Sequence, residues 1–137
     1  MYQHILTAID GSTRAARVMD AVEYLAKATG AAVHVLHADE AEAVYDRVVD
    51  LEDDDVAQAV IDREVVRLRA AGVNAEGEVA DVLHENVADL IVTRARELGS
   101  DLIVLGPGHH GRIGALLGSS VSHEVSLRAP ASLLLVV

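Results

Sequence analysis

Fifteen residues, Gly106 to Ser120 (GPGHHGRIGALLGSS), concentrate the chemistry-bearing side chains and glycines of this chain. The segment carries five glycines and two adjacent histidines and begins at the last residue of the apolar run DLIVLG. Three readings are open to such a segment. Glycines let backbone N–H groups close on phosphate oxygens, and some adopt positive φ. A helix starting after the loop would add unpaired donors and the positive end of its dipole. Alternatively, His109 and His110 could ligate a metal, although adjacent side chains point in different directions and no third ligand stands at useful spacing. The third reading is a surface connector. Arg112 is the loop's fixed cation and could meet a phosphate or stand in solvent.

Other candidates are weaker. Asp10 lies in the turn sequence Asp-Gly-Ser, where an aspartate commonly serves the turn itself. Between Asp39 and Asp55 there are nine acids and one base, Arg47. A calcium loop needs oxygen ligands at alternate positions, a glycine turn and a closing glutamate, and DLEDDDV lacks that frame. Acids complement the start of a helix, so the segment reads as a solvated helix entry. The remaining histidines, His4, His34, His37, His84 and His123, are scattered and read as packing or surface residues. Ser119, Ser120 and Ser122 lack an evident base and orienting acid, and there is no G-x-S-x-G elbow. No lysine follows the glycines, which excludes the P-loop pattern. Without cysteine there is no disulfide, thiolate site or thiol nucleophile. A catalytic role therefore has no recognisable machinery, and a slow ATPase is the weakest of the functions considered.

The elements that must position these residues follow from periodicity. Strands are predicted over 3–9, 32–38, near 75–83, over 101–106 and at the terminal SLLLVV (132–137). A helix over 13–29, with Ser12 or Thr13 as its cap, presents Val18, Val22, Leu25 and Thr29 on one face and stops at Gly30. A second helix runs over 51–71 with Ile61, Val65 and Leu68 as its stripe. A third, over 87–98, opens on Asn86 paired with Asp89 and turns Val87, Leu90, Ile91, Ala95 and Leu98 inward. A fourth, over 119–128, ends before Pro130. Strand and helix alternate throughout, with no internal repeat and no linker. The chain reads as one α/β domain, 1–137, with a parallel sheet between helices. Ligands of such sheets sit beyond the carboxyl ends of the strands, where the strand order reverses.

Composition agrees. Just over half the residues are apolar, yet Phe and Trp are absent. The core must be Val, Leu, Ile and Ala, which suits a parallel sheet buried under helices. The net charge of −11 repels phosphate backbones and anionic lipid, so nucleic acid and membranes are not expected partners. No apolar run approaches the roughly 20 residues of a membrane span. The start, MYQHILTAIDGS, carries no signal-peptide pattern, and a cytoplasmic location is expected. With Lys27 as the only lysine, any anionic ligand must be held by local backbone dipoles rather than by the global field.

The chain resembles the universal stress protein family over nearly its whole length. ILTAIDGSTRAARVMDAVEYLA resembles that family's first strand, aspartate, small residues and helix. VHVLHADE resembles its second strand, DLIVLG its fourth, and SVSHEVSLRAPASLLLVV its last helix and strand. The resemblance implies a flavodoxin-like three-layer sandwich, with a five-stranded parallel sheet in the order 3-2-1-4-5. It also implies a homodimer pairing the last strands (132–137) and, in one branch, ATP binding with Mg²⁺ between the first and fourth strands. The other branch binds no nucleotide and acts through protein contacts.

The nucleotide-binding branch carries G-x2-G-x9-G-[ST] after the fourth strand. Without a gap, its first glycine falls on Gly106, its second on His109, its third on Ser119 and its hydroxyl residue on Ser120. The loop length is matched; one of the three glycines is retained. Gly111, beside Gly108 and Gly114, restores flexibility at a shifted position, and Arg112 supplies charge. By the same resemblance Asp10 stands near the ribose or phosphates and the backbone at Ala38 reads the adenine. Ala8, Leu105 and Val121 complete the implied adenine-nucleotide site, with no catalytic residue and no protein metal ligand.

Overall fold

The computed structural model describes residues 1–11, 13–44, 47–50, 54–106 and 121–137. Five strands form a parallel sheet: β1 (His4–Ile9), β2 (Ala32–Val44), β4 (Ala75–Leu83), β5 (Leu102–Leu105) and β6 (Ser132–Leu135). Their spatial order is β4-β2-β1-β5-β6, which is 3-2-1-4-5 when the parallel strands are counted along the chain. The register pairs Ala8 with Leu36 on one side and with Leu105 on the other. On the far edge Ala38 pairs with Ala80, and on the near edge Leu105 pairs with Leu135.

The alternation of side chains divides the core into two layers. Ile5, Ile9, Val33, Val35, Leu102 and Val104 face α1 (Ala15–Thr29) and α2 (Asp54–Ala70). Leu6, Leu36, Ile103 and Leu105 face α3 (Val87–Leu98) and α4 (Val121–Arg128). Every residue of β5 is buried, as a central parallel strand requires. Helix α1 buries Ala15, Val18, Met19, Val22 and Ala26, a stripe at helical spacing. Gly30, with φ at +75°, closes it and donates its N–H to Ala26 O at 2.8 Å. Gly99 closes α3 in the same left-handed conformation.

Polar ties fix the layers. The Asp101 carboxylate accepts the backbone N–H groups of Gln3 (2.8 Å) and His4 (3.0 Å), joining the starts of β1 and β5. Those two donors hold its carboxyl below the usual range. Arg94 of α3 grips Glu78 of β4 with Nε and Nη2, each at 2.6 Å, and reaches Glu97 at 2.5 Å. Arg67 of α2 joins Asp20 and Glu23 of α1. Gly77 lets α2 lie close on β4: a Cβ there would stand 2.5 Å from Ile61 Cγ2 and 2.7 Å from Val65 Cγ2.

Three local expectations are corrected. The acidic stretch after residue 38 is not wholly a helix entry. β2 continues to Val44, and a short strand β3 (Arg47–Asp50) runs antiparallel to it, with Ala41 opposite Asp50 and Val44 opposite Arg47. The alternation Glu40-Ala41-Glu42-Ala43 was the period-2 signal for that extension. Helix α1 is entered through Arg14, with no side-chain cap; Thr13 does not serve, and Ser12 lies outside the described residues. Asn86 precedes α3 but its side chain makes no capping bond, because a 3₁₀ turn (His84–Asn86) feeds the helix directly. The helix over 51–71 begins at Asp54 among the described residues, and that over 119–128 at Val121.

Candidate functional site

The crevice lies where the connections diverge. β1 sits between β2 and β5, and the chain leaves these strands toward opposite faces of the sheet. At the carboxyl ends, Ala8, Ala38 and Val121 are half-buried and pack against the α3–α4 layer that contains buried Leu105. Small side chains on β1 and β2 leave a low apolar floor there. One residue further along each strand, Asp10 is exposed and Gly106 half-buried.

Gly106 owes its lack of a side chain to proximity. Its φ is not positive, but an added Cβ would stand 3.2 Å from Val18 Cγ2 of α1. Gly106 therefore leaves β5 close against α1, the helix that follows β1. The carbonyl of Leu105 is engaged in the sheet, accepting from Val136 N at 2.8 Å. Below the floor, Thr7 Oγ1 donates to Val104 O at 2.9 Å, cross-linking β1 and β5 where both are buried.

Of the residues singled out in the sequence, the structure thus brings Ala8, Asp10, Ala38, Leu105, Gly106 and Val121 to one end of the sheet. His109, Gly111, Arg112, Ser119 and Ser120 lie outside the described residues. Among the described residues no group of three or more His, Asp or Glu is arranged to hold a metal ion.

The histidines divide between the two ends. His4 and His34 lie at the amino end: His4 Nδ1 meets Ser100 Oγ at 2.9 Å, and His34 Nε2 lies 3.3 Å from Glu78 Oε1 but off the direction of a hydrogen bond. Burial, and then the neighbouring His34, push the His4 imidazole below its ordinary value. His37 is different. It stands within β2 opposite Ile9, the last residue of β1, 3% exposed, with Nδ1 2.9 Å from Ile9 O. Its position directly after the Val35-Leu36 pair of a strand core is the sequence signal that sets it apart from the scattered histidines.

Comparison with known proteins settles the family. A model of the universal stress protein family matches residues 1–137. The chain belongs to the universal stress protein family. A universal stress protein of Thermus aquaticus is 32% identical over 142 aligned positions, covering 99% of each chain. Among solved structures, a universal stress protein in complex with cAMP is 26% identical, covers 98% of this chain and 96% of its own, and superposes with a TM-score of 0.73. Another, from Archaeoglobus fulgidus in complex with dAMP, is 24% identical over 99% of this chain and 98% of its own, with a TM-score of 0.71. The flavodoxin-like order expected of a universal stress protein is the order observed.

Proposed function

We propose that this universal stress protein binds an adenine nucleotide, ATP with Mg²⁺ in the first instance, across the carboxyl ends of β1 and β5. It acts as a binding module rather than by turnover. The observation that carries the reading is the convergence of Ala8, Ala38, Leu105 and Val121 on one apolar floor, flanked by Asp10 and Gly106, at the point where strand order reverses. Such a floor suits a flat base, and the polar residues beyond it lie where ribose and phosphates would extend. The family member solved with cAMP, 26% identical over nearly the whole chain, supports the ligand class.

The same reading includes a homodimer joined through β6. That strand is at the sheet's edge, with Leu134 37% and Leu135 44% exposed. An open apolar edge of this kind favours pairing with a second chain.

Titration calorimetry of the purified protein with ATP and Mg²⁺ tests the proposal. Saturable heat is expected, weakened in Asp10→Ala, with AMP and cAMP as competing ligands. No heat at millimolar ATP would refute it and leave the reading in which the protein acts through protein contacts alone.

A further inference from the structure

We infer that β3 is the end wall of the nucleotide site: it stands in line with β1 across a gap in the sheet and limits how far a base can extend past Ala38. The inference rests on the nucleotide reading above and deepens it, naming the element that sets which bases fit.

The placement follows from strand pairing. Ala41 of β2 is paired twice, with Leu83 of β4 and with Asp50 of β3. A strand residue has one neighbour on each side, so β3 lies on the side of β2 away from β4. Nearer the amino end of β2, that side belongs to β1. Backbone direction agrees. Ala32 N donates to Gln3 O beside β1, and Val33 N donates to Asn74 O beside β4. Successive residues of a strand turn their N–H and C=O to opposite sides, so the even residues of β2 face the β1 side. Glu42 and Val44, opposite Val49 and Arg47, therefore turn their backbone groups to β3.

A gap separates the two strands that share this side. The β1 ladder ends with Ile9 opposite His37, and the β3 ladder begins with Asp50 opposite Ala41. The distance from His37 to Ala41 along β2 is about 13 Å. Beyond Ile9 the chain leaves for α1, and among the described residues no strand pairs with β2 on that side between these two positions. Beside the gap one face of the sheet is apolar and half-buried: Ala38 lies opposite Ala80 of β4, and Val82 follows two residues on. A planar base lies flat there, its ribose toward Asp10 and Gly106, and its far end meets β3 at Asp50. Because β4 pairs with β2 as far as Ala41, that end of β3 is rooted in the sheet and does not depend on residues 43–48. A purine fits a gap of this length, and a purine with a bulky group at the end remote from the ribose does not. The wall selects by exclusion.

The test uses the whole protein and two ligands with Mg²⁺, ATP and ATP carrying a benzyl group on its exocyclic amine. In calorimetry the parent should bind the benzylated nucleotide about tenfold or more weakly than ATP, because the benzyl group would have to displace β3. Val49→Pro removes the N–H that pairs with Glu42 and releases β3 from β2; the two ligands should then bind within about threefold of one another. A protein with residues 43–48 replaced by Asn-Gly keeps Asp50 opposite Ala41 and should discriminate as the parent does. Should Val49→Pro fail to fold, the parent decides alone: the amide resonances of Val49 and Asp50 should move on saturation with ATP while that of Val33 stays in place. Equal binding of both ligands by the parent, unmoved Val49 and Asp50 resonances, discrimination undiminished in folded Val49→Pro, or its loss in the shortened protein would each overturn the inference and leave nucleotide binding standing. No heat with ATP would overturn the nucleotide reading, and the wall with it.

Discussion

Gly77 offers the sharpest test of how the layers are held. The substitution is Gly77→Ala, in the middle of the edge strand β4. The new Cβ would stand 2.5 Å from Ile61 Cγ2 and 2.7 Å from Val65 Cγ2, where ordinary contact begins near 3.4 Å. Both obstructing methyls are branches at Cβ on α2, and β-branched side chains in a helix have one strongly preferred rotamer. The contact is therefore relieved by moving α2 off the sheet, not by turning a side chain. Overpacking of this kind costs about 1–3 kcal/mol. Against it stands a gain of about 0.4–1 kcal/mol, because alanine restricts the unfolded chain more than glycine. The net expectation is a loss of about 1–2 kcal/mol, or a fall in Tm of about 3–7 °C for a chain of this size. Urea unfolding followed by circular dichroism reads the first figure and a thermal scan the second. In an Ile61→Ala background the nearer methyl is gone, and the cost of Gly77→Ala should shrink by about half or more. A Gly77→Ala protein as stable as the parent, or an equal cost in both backgrounds, would refute the steric argument.

Two further outcomes are expected. In β6, Val136 N donates inward to Leu105 O, so by alternation the amide of Leu135 faces the open edge and that of Leu134 faces β5. Leu135→Pro should therefore abolish strand pairing between copies while leaving the fold intact, read as a shift from dimer to monomer in sedimentation; an unchanged dimer would place the interface elsewhere. The second outcome concerns Glu78, whose carboxyl is held below its ordinary 4.5 chiefly by the Arg94 guanidinium. A depressed carboxylate contributes stability that is present above the unfolded value and is lost as pH falls through the folded one. Arg94→Gln should thus cost about 1 kcal/mol at neutral pH, and the gap to the parent should close below pH 4.5 as Glu78 protonates in both. A gap that persists in acid would show that Arg94 contributes through packing instead.

The strand and helix alternation was legible because this chain writes its elements in separate periods. DLIVLG could be nothing but a buried strand, and VVRLRAAG ends a helix at the glycine that ends it in the structure. What failed to show had physical causes. The extension of β2 runs through Asp39 to Ala43, residues poor in strand propensity, and cross-strand pairing rather than composition makes it a strand. The absent side-chain caps at α1 and α3 reflect chain paths that enter the helices through turns. Nothing in the sequence marks Gly77 as a contact point, because the methyls that require a glycine there are on α2, more than ten residues away in sequence. His37 escaped for the same reason: its partner, Ile9 O, is a backbone atom on another strand.

The two ends of the sheet use their polar groups differently, and the difference accounts for where a ligand can bind. At the amino end the protein supplies its own partners. Asp101 takes up two backbone donors of the β1 entry, and the Asp101 N–H returns to His4 O. Charge is consumed within the fold there, and that end is a fastening. At the carboxyl end the ladder between β1 and β5 closes at Ala8 and Leu105, and Asp10 and Gly106 lie beyond it. In a parallel sheet whose central strand has neighbours leaving toward opposite faces, this is the end at which a crevice opens. The sequence places the small residues Ala8 and Ala38 beside that gap and Gly106 directly after β5. Space and backbone polarity thus coincide at one end of the sheet. The nucleotide proposed for this acidic chain would use that end.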